Sequence, residues 1–211
     1  MVTNEIQNGT VVGIGDRIVR HGLAQRNADP FINRQRGLFL PRPLPRGYGV
    51  LMANVLDGSP DGRTRRVAIV VSRFNEIVTE RLLDGARKTL RASGVKDEDV
   101  TVCWVPGAFE LPAACRWLWA TKRFDALVML GAVVRGGTDH YEHVCNGVTE
   151  GAMQLGLDGL PLGFGVLTCS TMDQALARAG GEEGNKGSDA ATAALAMANL
   201  RAQIGKLGSP G

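Results

Sequence analysis

Ala126-Leu-Val-Met-Leu-Gly-Ala-Val-Val-Arg-Gly-Gly-Thr-Asp-His-Tyr-Glu-His-Val-Cys145 is the stretch on which the fold turns. Its first half, Leu127 to Leu130 extended by Val133 and Val134, is a continuous apolar run. Such a run reads as a strand buried on both faces, the pattern of a parallel sheet. Arg135-Gly136-Gly137-Thr138 is a short polar turn, and Asp139-His140-Tyr141-Glu142-His143 opens a helix. Two of the three histidines of the chain stand here, three residues apart. A buried strand, a glycine turn and a helix start are the parts of a small-molecule site on a parallel sheet.

Outward from this stretch, the same alternation repeats. Val67 to Val71 is a buried strand, Ser72-Arg-Phe-Asn75 a turn, and Glu76 to Ser93 a helix with Val78, Leu82, Ala86 and Leu90 four apart on one face; Gly94 stops it. Val100 to Val105 is the second strand, Pro106-Gly107 a turn, and Glu110 to Lys122 the second helix. Phe124 to Val134 holds the third strand and His140 to Leu157 the third helix. Phe164 to Thr168 is the fourth strand and Met172 to Ala179 a short helix. A glycine-rich charged loop, 180–187, precedes a last helix capped by Ser188 or Asp189 and running to about Ile204, with Ala193, Met197, Leu200 and Ile204 as its core stripe. Four strand–helix alternations predict an α/β fold, a three-layer αβα sandwich on a four-stranded parallel sheet, flavodoxin-like, with right-handed crossovers. So small a sheet, with an alanine-rich last helix, leaves apolar surface for another subunit, so a homo-oligomer is expected.

Composition bounds the function. The 24 Lys and Arg nearly balance the 21 Asp and Glu, and no basic block marks a nucleic-acid binder. No run approaches the ~20 apolar residues that span a bilayer. Cys103, Cys115, Cys145 and Cys169 form no C-x-x-C pair and fall in or beside apolar segments, which suits free thiols in a reducing compartment and no metal site. The cytoplasm is the expected location.

Residues 1–65 differ from the rest. They hold no Lys, nine Arg and five of the nine Pro, three of them in Pro41-Arg-Pro-Leu-Pro45. They lack sustained apolar periodicity and read as an irregular extension before a 66–205 catalytic domain, with 206–211 a flexible tail. The N-terminus has no charged segment followed by an apolar core, against a secretory signal, and the five acidic residues of the extension argue against a transit peptide. Met52, about 14 residues before the first clear strand, is an alternative start of translation.

Ligands on such sheets sit beyond the carboxyl ends of the strands. The residues there are Ser72–Asn75, Pro106–Glu110, Arg135–His140 and Thr168–Thr171: a planar aromatic, a carboxylate, a glycine nest, hydroxyls, a cation and an imidazole. Gly136-Gly137-Thr138 before a helix can aim N–H groups at an anion, although taken alone such a pair more often marks a tight turn. His140 can move protons near neutrality, or be a surface histidine. Phe74 can stack on a heteroaromatic ring, or be core. Arg178 and Lys186 can bind phosphate, or be solvated.

Taken together, five motifs tip these choices. Ser72-Arg-Phe-Asn-Glu-Ile-Val-Thr79, Pro106-Gly-Ala-Phe-Glu-Leu-Pro112, Gly131 to Val144, Gly163-Phe-Gly-Val-Leu-Thr168 and Arg178-Ala-Gly-Gly-Glu-Glu-Gly-Asn-Lys-Gly187 resemble, in order, those of 6,7-dimethyl-8-ribityllumazine synthases, the penultimate enzymes of riboflavin biosynthesis. The resemblance covers about residues 66–205. It implies condensation of 5-amino-6-ribitylaminouracil with 3,4-dihydroxy-2-butanone 4-phosphate to the lumazine, phosphate and water, with no metal and no cofactor. It also implies that Phe74 stacks on the pyrimidine, Asn75 lines its pocket, and Gly107, Ala108, Phe109 and Glu110 form the ribityl segment. Ala132, Val133 and Val134 meet the ring edge, Gly137 and Thr138 hold the phosphate, and His140 transfers protons. Phe164, Arg178 and Lys186 reach the pocket from a neighbouring subunit of a pentamer, or of a multiple of pentamers. The segment Asn54 to Arg66 is expected against a neighbour's sheet, and riboflavin synthase is a candidate partner.

Three other readings compete. An electron-transfer module of the same fold needs a small-residue phosphate loop where Ser72-Arg-Phe-Asn75 stands. A purely structural shell protein has no need of Glu110, His140, Arg178 and Lys186 together. A riboflavin synthase of this fold, dismutating lumazine, is the nearest enzymatic alternative.

Overall fold

The computed structural model describes residues 54–207. The expectations for residues 1–53, including a start at Met52, and for the tail from 208 lie outside the described residues. The elements are β1 (Val67–Ser72), α1 (Glu76–Ala92), β2 (Val100–Val105), α2 (Leu111–Ala120), β3 (Ala126–Val134), α3 (His140–Leu157), β4 (Leu162–Cys169), α4 (Met172–Ala177), β5 (Ala179–Gly181), β6 (Gly184–Asn185) and α5 (Lys186–Leu207). The main sheet has the order β2-β1-β3-β4, all parallel. The apolar runs of β1 and β3 take its centre, and every residue of β1 is fully buried. Polar side chains are costly where both faces are covered, so the apolar run Val67–Val71, broken only by Ser72 at the strand's end, and the central position have one cause.

Alternate side chains feed two cores. Val67, Ile69, Val71, Val128 and Leu130 pack with Val78, Leu82, Ala86 and Leu90 of α1 and with α5. Ala68, Val70, Leu127 and Met129 pack with α2 and α3 on the other face. This is the expected sandwich, and the α1 stripe is the one its spacing predicts.

The last helix departs from expectation in three ways. It begins at Lys186 and continues to Leu207, into the first two residues of the expected 206–211 tail. Its cap is Asn185, whose Oδ1 accepts hydrogen bonds from the N–H groups of Gly187 (2.9 Å) and Ser188 (3.2 Å), rather than Ser188 or Asp189. The glycine-rich 180–187 segment is the small β5–β6 hairpin followed directly by this cap. Finally, the buried stripe is Ala190, Ala191, Ala194, Leu195 and Ala198, while Met197 and Ile204 are 49% and 52% exposed and Ala193 is exposed. The reason lies on β4. A Cβ at Gly163 would collide with the Ala190 carbonyl, and one at Gly165 would press on Leu130 and Ala190. The two glycines admit the helix so closely that alanines fill the interface, and the bulkier stripe turns outward.

Residues 57–65 run along α5 of the same chain. Asn199 donates to the carbonyls of Ser59 (2.7 Å) and Asp61 (2.8 Å) and accepts from Arg65 (2.6 Å), and Gln203 donates to Asp57 O (2.8 Å). No strand forms over 54–66 in the single chain. Among the described residues no helix is long and apolar enough to cross a membrane.

Candidate active site at the carboxyl end of the sheet

The loops after β1 and β2 are laced to each other and to β3 by short polar contacts. Arg73 N–H donates to Val105 O (2.8 Å) and Phe74 N–H to Pro106 O (3.0 Å), so the chain leaving β1 rides on the chain leaving β2. Asn75 has φ 61° and ψ 44°, a left-handed conformation that Asn tolerates better than most side chains. From there its Nδ2 donates to Ala132 O of β3 (2.8 Å). The reversal leaves the Phe74 ring 69% exposed at the sheet end, not in the core. A bare aromatic face held on a fixed backbone is a stacking platform.

Ala108–Glu110 is a single 3₁₀ turn leading into α2, where the sequence suggested an α-helix from Glu110. The Glu110 carboxylate folds back and accepts from Gly107 N–H (2.9 Å) through Oε2. This single back-bond fixes the carboxylate's direction and leaves Oε1 open among the described residues. Ala108 is buried beneath it. The Phe109 ring lies against Gly147 of α3, where a Cβ would strike its edge, so it spaces the 3₁₀ turn from α3.

At the end of β3, Ala132 and Val133 are buried and Val134 is half-buried. Gly136, Gly137 and Thr138 are exposed, and a Cβ on either glycine would meet nothing within 4 Å. His140 is exposed as the first residue of α3, next to this loop. The N–H groups of a helix start and the dipole behind them favour an anion there. The nearby thiols of Cys145 and Cys169 are pushed up by burial, so both are neutral near pH 7 and neither is a thiolate nucleophile.

Phe74, Asn75, Gly107, Ala108, Glu110, Ala132–Val134, Gly137, Thr138 and His140 thus share one end of the sheet. Phe164, Arg178 and Lys186 do not join them. They line a separate open groove of about 390 Å³ along β4, with Thr168, Cys169 and Gln174. There Arg178 donates to Gln174 O (3.1 Å), and the Lys186 ammonium pairs with Asp189 (2.8 Å).

The sequence of the family described as 6,7-dimethyl-8-ribityllumazine synthase matches residues 64–202. The chain belongs to that family. A 6,7-dimethyl-8-ribityllumazine synthase from Pediococcus pentosaceus is 50% identical over 148 residues, 70% of this chain and 95% of the relative. The matched span contains every element from β1 to β6 and most of α5. Membership makes the chain an enzyme of the transferase class.

Reading the sequence alone missed the contacts that build the site. Asn75 is expected to line a pocket; its amide also ties the turn after β1 to strand β3. Arg135 counted only as a cation, yet it pairs with Glu142 (2.5 Å) and stacks 4.4 Å from the Tyr141 ring centroid. A pairing across a seven-residue interval that includes a loop leaves no periodic signal. An Arg before the loop and an acid in the next helical turn were the only hints.

Proposed function

We propose that the carboxyl end of the sheet is where this enzyme of riboflavin biosynthesis condenses 5-amino-6-ribitylaminouracil with 3,4-dihydroxy-2-butanone 4-phosphate. The observation that carries the reading is the lacing of the loops after β1 and β2 to each other and to β3, which sets an exposed ring and a directed carboxylate at the same end of the sheet as the open glycine turn. Phe74 stacks on the pyrimidine, and backbone at Ala132–Val134 meets its edge. Oε1 of Glu110 accepts hydroxyls of the ribityl chain, within the Gly107–Glu110 segment. Gly137 and Thr138 hold the phosphate.

In this reading the 5-amino group attacks the ketone, a first water leaves the carbinolamine, phosphate is eliminated, and the ribitylamino nitrogen closes the second ring on the carbonyl so unmasked, with loss of a second water. Each step moves a proton. His140, beside the phosphate loop, is the residue that moves them. N–H groups and a hydroxyl spread the charge of the departing phosphate, and a guanidinium adds to this. Both reactants are intrinsically reactive, so holding them together supplies much of the rate.

The guanidinium of Arg178, the ammonium of Lys186 and the ring of Phe164 stand in another groove of the same chain. They complete the site from a neighbouring subunit in a pentamer or a multiple of pentamers. The outward stripe with Met197 and Ile204 supports such an assembly. The exposed segment Asn54–Leu56, ahead of the part fastened to α5, is free to lie on a neighbour's sheet. Unpaired cysteines at 103, 115, 145 and 169 suit the cytoplasm, where riboflavin synthase would consume the product. Mixing the protein with both substrates tests the activity. Lumazine fluorescence rising in step with released phosphate is expected. Phosphate release without lumazine, or neither signal, would overturn it.

A further inference from the structure

The loop assigned to the phosphate is thinly supported. From Arg135 to Asp139 every residue is exposed, and neither glycine is packed against anything. A turn of two glycines has wide conformational freedom, and an anion site works best when its N–H groups already converge. Something other than packing must set the loop's shape.

Two anchors do so, and both run through Arg135. Its backbone N–H donates to Cys169 O (2.9 Å), extending the β3–β4 ladder one step past the Val134–Cys169 pair. Its side chain then reaches over the loop to the first turn of α3. There Nη2 donates to Glu142 Oε1 (2.5 Å) and the guanidinium lies over the Tyr141 ring, 4.4 Å from its centroid. Glu142 N–H in turn donates to Asp139 O (3.0 Å), at the loop's exit. Entry and exit are therefore closed into a ring by one side chain. The pair also answers an electrostatic problem. Glu142 suits the positive end of the helix, yet its carboxylate stands near a loop meant for a phosphate. Pairing with Arg135 neutralises it, and the pairing holds the guanidinium in its charged form.

We infer that Arg135 is a positioning residue, which together with Glu142 and Tyr141 clamps the Gly136–Asp139 loop in its phosphate-holding shape and screens the Glu142 carboxylate from the phosphate. The inference rests on the reading that Gly137 and Thr138 hold the phosphate. Arg135 acts on the substrate only through the loop, because its guanidinium is already occupied by Glu142 and Tyr141.

The test is the inhibition constant of inorganic phosphate, measured with the KM of each substrate, on the assembled enzyme. Arg135→Gln is expected to raise the phosphate constant and the KM of the butanone phosphate about three- to ten-fold, the scale of one exposed ion pair plus one cation–π contact. The KM of the pyrimidine stays unchanged. The charge-swapped pair Arg135→Glu with Glu142→Arg restores the phosphate constant to within about two-fold, since it rebuilds the same bridge. Arg135→Lys keeps the charge and loses the flat stacked fork, so it gives an intermediate rise, and it carries the test if Arg135→Gln fails to assemble. An unchanged constant in these variants would overturn the clamp. So would a rise that the swap leaves in place, or a parallel rise in both KM values. Thr138→Ala, run beside them, checks the foundation. If it leaves the phosphate constant unchanged, the loop does not hold the phosphate and the inference falls with that reading; if it raises the constant, the Arg135 results judge the clamp alone.

Discussion

At the residue scale, Asn75 does two things with one side chain. Its left-handed backbone turns Phe74 outward, and its amide ties that turn to Ala132 O. The two roles separate by substitution. Asn75→Gly keeps the backbone and loses the hydrogen bond, for a cost of about 1 kcal/mol. Asn75→Ala loses both and costs about 2–3 kcal/mol, because a Cβ disfavours the left-handed region. Thermal melting should place Ala below Gly; equal melting temperatures would mean that the backbone conformation is not what Asn75 supplies. For His140 the expectation follows from proximity. His140→Ala lowers kcat but leaves measurable turnover, since holding the two reactants together does not need the imidazole. Steady-state kinetics on the folded variant decide this, and complete loss of activity would contradict it. The placement of Phe74, Glu110 and His140 at the carboxyl end of the sheet was legible in the sequence, because residues just after buried strands of a parallel sheet fall at that end. What the carboxylate of Glu110 touches was not legible, because its partner is a backbone N–H three residues earlier whose direction depends on the turn.

At the element scale, legibility followed burial on both faces. Val67–Val71 and Leu127–Leu130 were legible as strands buried on both faces, and both take the centre of the sheet. The α1 stripe was equally readable, since a helix over the sheet centre shows a simple 3.6-residue pattern. The outcome for α5 was different. Its surface is rich in alanine on several sides, so spacing alone selected Ala193, Met197, Leu200 and Ile204, the bulkier of two stripes. Gly163 and Gly165, far away in sequence, decide the matter by removing the side chains that would hold α5 off the sheet. Gly163→Ala therefore has a stated consequence. The new methyl cannot be accommodated against the Ala190 carbonyl without moving α5, for a cost of about 1–3 kcal/mol. A lowered melting temperature is expected, together with weakened assembly if α5 carries subunit contacts. A variant as stable as the parent would mean that the helix is not seated by these glycines.

At the scale of the whole molecule, the residues assigned to one reaction stand in two places. One set crowns β1, β2 and β3; the other, Phe164, Arg178 and Lys186, lines the groove along β4. In the proposed reading, a single chain carries two half-sites. The resemblance implied that the second set serves a neighbouring chain; what places it in the fold is β4 lying at the sheet edge with α4 and the start of α5 beside it. The most direct measurement of a shared site uses two variants broken in different halves, Phe74→Asp and Arg178→Asp, each inactive by itself. Unfolded and reassembled together, they form interfaces in which an intact first half meets an intact second half. Lumazine formation should then return to about a quarter of the parent rate, the share of such interfaces in random assembly. If the mixture stays as inactive as its components while assembling normally, the site belongs to one chain and the account of a shared site is wrong.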